Sequence, residues 1–435
     1  MKPFSLVSTC LFFSLTLFSI SSTSAQCIDQ PSPIKPRNKM AVACSMVKQP
    51  KKNLKFHVSN ETNMFDLQFF CEIQDKALCE KAKSSFEEAG RIITSTLILN
   101  TPIIINATFQ DMEDPGILGA AGPLRSIPMK DDDGIERLYP QALVKQFQLG
   151  SHPEFAPVDI VADFNSLVPF WFEGDPPITN KQIGFLELIL HELMHGLGFN
   201  SAWSDNFPQA ATPEIIGLTT EPGITDLNAT IVFRGFQERA LDKYLILLPD
   251  NKTTTFYANE LNKFANGSTF KNVDDFSDKF IASPQYLVGK EIFSYFVTPK
   301  SLAFKPSVSD KEEDMTYLET SLNPFERGSS ISHVDIAMYT NTSEFLMTYL
   351  QESGRTLNDS IRIGGNFAGG AIGYKLRLIL ESLGYATREN PKPYNPSPPV
   401  FSADTSDINS SSRITFLCNI YLAFAVGITM IISNL

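Results

Sequence analysis

Residues Leu190–Ser201 read LHELMHGLGFNS. Positions four apart on a helix share a face, so His191 and His195 can aim their imidazoles at one point. Neutral imidazole nitrogens suit zinc, which favours tetrahedral nitrogen and sulfur ligands. Glu192 follows the first histidine and can reach a water at such a metal. Zinc lowers the pKa of that water, and the carboxylate can take its proton as the oxygen attacks a carbonyl. This is the physical content of the H-E-x-x-H pattern. Only five histidines occur in 435 residues, so two of them in this spacing by chance is a rare event.

The flanking residues supply the helix that the motif needs. Ile183, Leu186, Leu190 and Met194 form an apolar stripe. Thr179–Gln182, TNKQ, fits a capping box in which the hydroxyl and the Gln side chain each satisfy a backbone N–H. The spacing predicts a helix from Asn180 to about Gly196. One helix gives two ligands, whereas a catalytic zinc usually has three from the protein. Ser201 stands where a third histidine often follows. If the third ligand is a histidine, it is His57, His152 or His333. A glutamate is the rival: ERALD, Glu238–Asp242, fits the Glu-x-x-x-Asp of thermolysin-type zinc peptidases, although a solvated helix face is its ordinary reading.

The sequence resembles the metzincin metalloproteases. These continue the zinc helix with a glycine three residues after the second histidine, matched by Gly198, and set a methionine turn soon after the third ligand. Met347, in FLMTY, stands fourteen residues beyond His333. Within the metzincins the chain looks like a divergent member of the leishmanolysin family, where a long insertion defers the third histidine. The resemblance implies zinc as cofactor, His191, His195 and His333 as its ligands, Glu192 as catalytic base and Met347 as the turn methionine. It also implies an α+β fold: an upper subdomain with a twisted mixed sheet and the zinc helix, and a lower, mostly irregular or helical subdomain. Tyr349, two residues after Met347, has a spacing similar to the astacin branch, where such a tyrosine serves as a fifth ligand or oxyanion group; a packing role is its plainer reading. The strand DIVADF, with PIIINATF as competitor, is expected to be the sheet edge that pairs with substrate.

Both ends read as processing signals. Residues 1–25 combine an early lysine, an apolar run and small residues at Thr23 and Ala25, the pattern of a secretory signal peptide. Residues 413–435 are an apolar tail preceded by small polar residues, with no cytosolic basic cluster after it. This fits a glycosylphosphatidylinositol (GPI) attachment signal, with Asn409 as the candidate site and a transmembrane anchor as the alternative. Between the ends we expect an extension or pro-segment over 26–55, the upper catalytic subdomain over 56–200, an insertion over 201–330, the lower subdomain over 331–389 and a Pro/Ser-rich stalk over 390–412.

Secretion agrees with the cysteines. Cys27, Cys44, Cys71 and Cys79 form an even set, which suggests two disulfides. Three connectivities are open, and the local pairing, Cys27 with Cys44 and Cys71 with Cys79, is preferred. Sequons at Asn60, Asn106, Asn228, Asn251, Asn266, Asn341 and Asn358 are candidate N-glycosylation sites. With 48 acidic against 36 basic residues, a net charge of −12 argues against nucleic acid as a partner. Together these features predict a monomeric zinc endopeptidase, secreted or lipid-anchored at the cell surface, that acts on proteins or peptides. The alternative is an inactive GPI-anchored surface glycoprotein, in adhesion or wall structure, with a vestigial zinc site.

Overall fold

The computed structural model describes residues 26–34, 39–48, 62–114, 116–219, 230–398 and 412–413. The expected signal peptide, His57, Asn60, Asn228, Asn409 and most of the apolar tail lie outside the described residues.

The chain opens with β1 (Gln26–Asp29), β2 (Met40–Ala43) and β3 (Met46–Lys48), then β4 (Phe65–Cys71) and the long helix α1 (Lys76–Thr96). There follow β5 (Ile103–Gln110), β6 (Gly119–Pro123), β7 (Arg125–Lys130), β8 (Glu136–Pro140), α2 (Gln141–Val144), β9 (Ser151–Pro153) and β10 (Ile160–Asn165). The short parallel pair β11 (Phe170–Trp171) and β12 (Ile183–Gly184) then leads into α3 (Phe185–Gly196).

The central sheet has the order β4-β5-β10-β6, with β6 antiparallel to its neighbour and the others parallel. Alternation along β5 sends Ile103, Ile105, Ala107 and Phe109 inward, all essentially buried. Helices α1 and α3 pack on that inner face and on each other. Phe185, the first residue of α3, is the knot of this packing. Its ring meets those of Phe86, Phe109, Phe164, Phe170 and Phe172 at centroid distances of 4.6–6.2 Å. Truncating such a buried Phe to Ala costs about 3–5 kcal/mol, so this cluster fixes where α3 begins against the sheet.

Two expectations are corrected here. The strand DIVADF is β10 and lies inside the sheet, as does PIIINATF in β5; the edge beside α3 is β6. Helix α3 begins at Phe185, not Asn180. Thr179 and Gln182 do bond each other, at 3.0–3.1 Å, but they close a turn. Ile183 and Gly184 are taken by the pairing with Phe170 and Trp171, and a Cβ on Gly184 would come within 3.1 Å of the Arg355 carbonyl.

The N-terminal segment is part of the body. β1 pairs with β2 and with β7, and β3 pairs with β9, so the sheet β2-β1-β7-β8 is built from sequence on both sides of the central helix α1. Cys27 is joined to Cys44 within this segment, and Cys71 to Cys79 at the junction of β4 and α1.

After α3 the chain forms β13 (Ser204–Phe207), β14 (Ala210–Thr212), β15 (Glu214–Thr219), β16 (Ile231–Gln237), β17 (Leu245–Leu247) and β18 (Lys252–Thr253), then α4 (Thr254–Leu261), β19 (Thr269–Phe270), α5 (Val273–Ile281), α6 (Pro284–Phe296), β20 (Leu302–Phe304) and β21 (Thr316–Tyr317). The helical spacing of Phe236–Leu248 is overridden: its ends are strands β16 and β17, joined by the 3-10 turn Ala240–Tyr244. Arg137 of β8 ties this region down. Its buried guanidinium bonds Asp131 and Asp133 of its own hairpin, and Glu238 and Thr255 across the junction. The last region holds α7 (Ile336–Tyr339), α8 (Leu357–Ile363) and α9 (Tyr374–Leu383), and β22 (Ser412–Arg413) returns to pair with β2. Among the described residues no helix is long and apolar enough to cross a membrane.

Candidate metal centre

Helix α3 is buried on nearly every side, as its composition requires. It places His191 and His195 one turn apart. The helix then stops at Gly198, whose φ of +115° is a conformation that favours glycine. Gly198 N–H donates to the His195 carbonyl at 3.1 Å, and Phe199 N–H to that of Met194 at 3.0 Å, which is a Schellman closure. The turn also folds the Phe199 carbonyl back to within 2.7 Å of His195 Nδ1. The glycine that ends the helix therefore aims one of its histidines.

His333 comes from the other side of the site. Its carbonyl accepts from Glu319 N–H, and the next residue, Val334, donates to the carbonyl of Met347. Met347 is buried in the 3-10 turn Phe345–Met347, which packs on α3. From that turn the Leu346 carbonyl reaches His191 Nδ1 at 2.6 Å, and the Ser329 carbonyl reaches His333 Nδ1 at 3.0 Å.

The three Nε2 atoms converge. They lie 3.0 Å (His191 and His333), 3.1 Å (His191 and His195) and 3.3 Å (His195 and His333) apart. A carbonyl only accepts, so each Nδ1 carries the ring proton and each Nε2 of a neutral ring presents a lone pair. Three lone pairs at such distances, with no proton among them, repel unless a cation lies between them. Protonation is no remedy, because burial drives His191 down to about 3, His195 to about 4 and His333 well below the usual histidine value. Three nitrogens on a tetrahedral zinc at about 2.0–2.1 Å would be about 3.3 Å apart, so the residues present fit that ion. Among the described residues, only these three side chains converge as a set that could hold a metal. His191 and His333 are buried while His195 is partly exposed, which gives the cluster one side toward solvent.

Glu192 is also buried, and its Oε2 accepts the N–H of Ala121 at 2.8 Å. Burial pushes its carboxyl up to about 8, against the pull of that hydrogen bond. The donor belongs to edge strand β6, so the carboxylate is fixed by the strand that borders α3. Sequence reading missed this strand: GAAGP has none of the β-branched or aromatic residues that mark strands. The three orienting carbonyls of Phe199, Leu346 and Ser329 were equally hidden, since a backbone acceptor leaves no sequence signature.

The other candidates fall elsewhere. His152 sits in β9 and stacks on Phe155. Glu238 is engaged with Arg137 and Thr255, and Asp242 accepts from Ser201 Oγ at 2.6 Å and Ala202 N–H at 2.9 Å. Ser201 thus anchors the start of the region that follows α3. Tyr349 is partly buried and makes no hydrogen bond or ring contact with the histidines among the described residues; burial, then the nearby Glu319 and Glu326 carboxylates, raise its phenol pKa.

A family model described as SPBPB7E8-like matches residues 22–416. The chain is also similar to a protein of Schizosaccharomyces pombe, "Uncharacterized protein PB7E8.01", with 28% identity over 373 residues. The match takes in 76% of this chain and 64% of that relative, so the chain spans less than two thirds of the relative's length. No solved structure matches the chain.

Proposed function

The chain belongs to the SPBPB7E8-like family, and we propose that it is a zinc-dependent endopeptidase of the cell exterior, similar in site and architecture to the leishmanolysin branch of the metzincins. The observation that carries this reading is the convergence of three Nε2 lone pairs, each imidazole fixed by a carbonyl at its Nδ1. His191, His195 and His333 would hold the zinc. Bound there, zinc would supply a Lewis acid that acidifies water and polarises a carbonyl.

The remaining chemistry falls to the chain's own groups. Glu192 takes the proton of the attacking water and passes it to the leaving amine. The Ala121 N–H steadies one oxygen of that carboxylate and leaves the other for the proton. Strand β6, with no strand beyond it among the described residues, offers its edge backbone groups other than the Ala121 N–H to an extended peptide. Two disulfides support an oxidising compartment. Attachment to the membrane by a GPI anchor near Asn409 completes the proposal.

An inactive surface glycoprotein is the rival. A structural zinc is normally closed by four protein ligands. Here three side chains converge, and a buried carboxylate stands beside them on the same helix, held by a strand edge. That arrangement favours catalysis. The test is incubation of the secreted protein with a mixed peptide library, with chelator and then with zinc restored. Cleavage that stops and returns supports the proposal; a zinc-loaded protein that cleaves nothing sinks it.

A further inference from the structure

Among the described residues, the outer face of the central sheet has no helix packed along it. Helices α1 and α3 both take the inner face. On the outer face, Asp66, Gln68 and Phe70 of β4 are exposed, and Ile104, Asn106, Thr108, Val161 and Asp163 of β5 and β10 are partly exposed. The register sets Gln68, Asn106, Val161 and Gly122 in one row across all four strands. At the end of that row Gly122 is buried, like Ala120 on the same face, although a Cβ on Gly122 would meet nothing within 4 Å. The open part of the face therefore lies over β4, β5 and β10. Phe70 is 53% exposed, and Ile104 and Val161 add apolar surface beside it. A sheet face of this kind is normally packed or charged.

Asn106 lies at the middle of this face and begins the sequon Asn106-Ala107-Thr108. Period-two geometry puts Asn106 and Thr108 on the same side of β5. The Thr108 hydroxyl bonds Asp163. The Asn106 amide has no hydrogen-bond partner among the described residues and is not sealed from solvent. The sequons at Asn251, Asn266, Asn341 and Asn358 differ, because each is exposed on a turn or helix end.

We propose that Asn106 carries an N-linked glycan and that its first sugars lie over the outer face of the central sheet, between Phe70 and Gly122. The glycan covers the part of this face that is exposed over β4, β5 and β10 among the described residues. Transfer takes place in the secretory pathway from a lipid-pyrophosphate oligosaccharide. The C1–O bond to the pyrophosphate breaks, a C1–Nδ2 bond forms, the amide gives up one proton and the lipid pyrophosphate leaves. No oxidant or reductant is involved. The two disulfides fit an oxidising compartment, and the secretory pathway, which holds this donor, is one. The proposal is independent of the peptidase reading.

The test is glycopeptide mapping of the full chain secreted from a eukaryotic cell. The peptide bearing Asn106 should carry glycan, and after peptide-N-glycosidase it should read Asp at this position. In the native protein this glycan should be released later than those at Asn251 and Asn266, because the sheet shields its root. Asn106→Gln and Thr108→Val should each lose that one glycan and bind more apolar dye, while Thr108→Ser keeps the glycan. An unmodified Asn106 in the wild-type protein overturns the proposal, whether or not the turn sites are occupied. So does an Asn106→Gln protein with unchanged dye binding. Mapping the wild-type protein decides the question even if a variant fails to fold.

Discussion

Glu187 offers a sharp physical test of the helix that carries the site. It stands one turn before His191 on α3, buried, with Ser360 of α8 donating to Oε2 at 2.9 Å. Burial raises its carboxyl from 4.5 to about 7; the Ser360 bond and Arg355 pull it down, and Glu352 pushes it up. A pKa raised on folding stabilises the protein below the unfolded value and loses that contribution as pH climbs through the folded one. The loss begins above pH 4.5 and is complete a little above 7. A rise of this size corresponds to about 3 kcal/mol. Glu187→Gln keeps an oxygen to accept from Ser360 but cannot ionise. The variant should match the wild type to within about 1 kcal/mol near pH 5 and be more stable by about 3 kcal/mol near pH 8.5. Urea unfolding of both proteins across that range, at fixed zinc, reads the difference directly. A stability difference that does not change with pH, or a variant weaker at pH 8.5, refutes the reasoning.

Further expectations follow from the same geometry. His333→Ala should purify without zinc, whereas Glu238→Ala should keep its zinc and lose about 3 kcal/mol of stability by depriving buried Arg137 of a partner; elemental analysis and denaturant melts separate the two. Gly198→Ala forces an L residue to φ +115° with its Cβ 3.1 Å from Pro140, at a cost of about 1–3 kcal/mol. The Phe199 carbonyl then shifts off His195, and zinc affinity measured by chelator competition should fall about 10- to 100-fold. Ala121→Pro removes the N–H given to Glu192, a group the sheet ladder does not use. The peptidase reading expects kcat to fall about 10- to 100-fold with zinc content unchanged; unchanged kcat would show that the strand does not position the base.

Much of this was legible in the sequence where a side-chain period was in play. The 3.6-residue spacing of Lys76–Leu97 and Ala371–Tyr385 predicts two helices, found as α1 and, within the second stretch, α9, and the β-branched runs became β5 and β10. His191 and His195 were legible for the same reason: a helix fixes their common face. What failed was long-range. Thr179–Gln182 has the residues of a capping box, but neighbouring strands claimed the next two positions. Phe236–Leu248 has helical spacing, but Arg137 and Ser201 draw Glu238 and Asp242 to fixed partners and the chain stays extended on either side. The order of strands in the sheet, and hence which one is the edge, depends on pairings between segments far apart in sequence, and local pattern carries no information about it. The approach of His333 to the helix is of the same kind. Reading it required a resemblance, while the geometry comes from backbone carbonyls that any residue could supply.

The central claim is tested most directly by comparing the wild-type protein with Glu192→Gln, scoring zinc per chain and peptide hydrolysis on the same samples. The account predicts one zinc in each, hydrolysis by the wild type, and its loss in the variant. A wild type that folds without zinc, or a zinc-loaded Glu192→Gln that hydrolyses peptide as the wild type does, would contradict it.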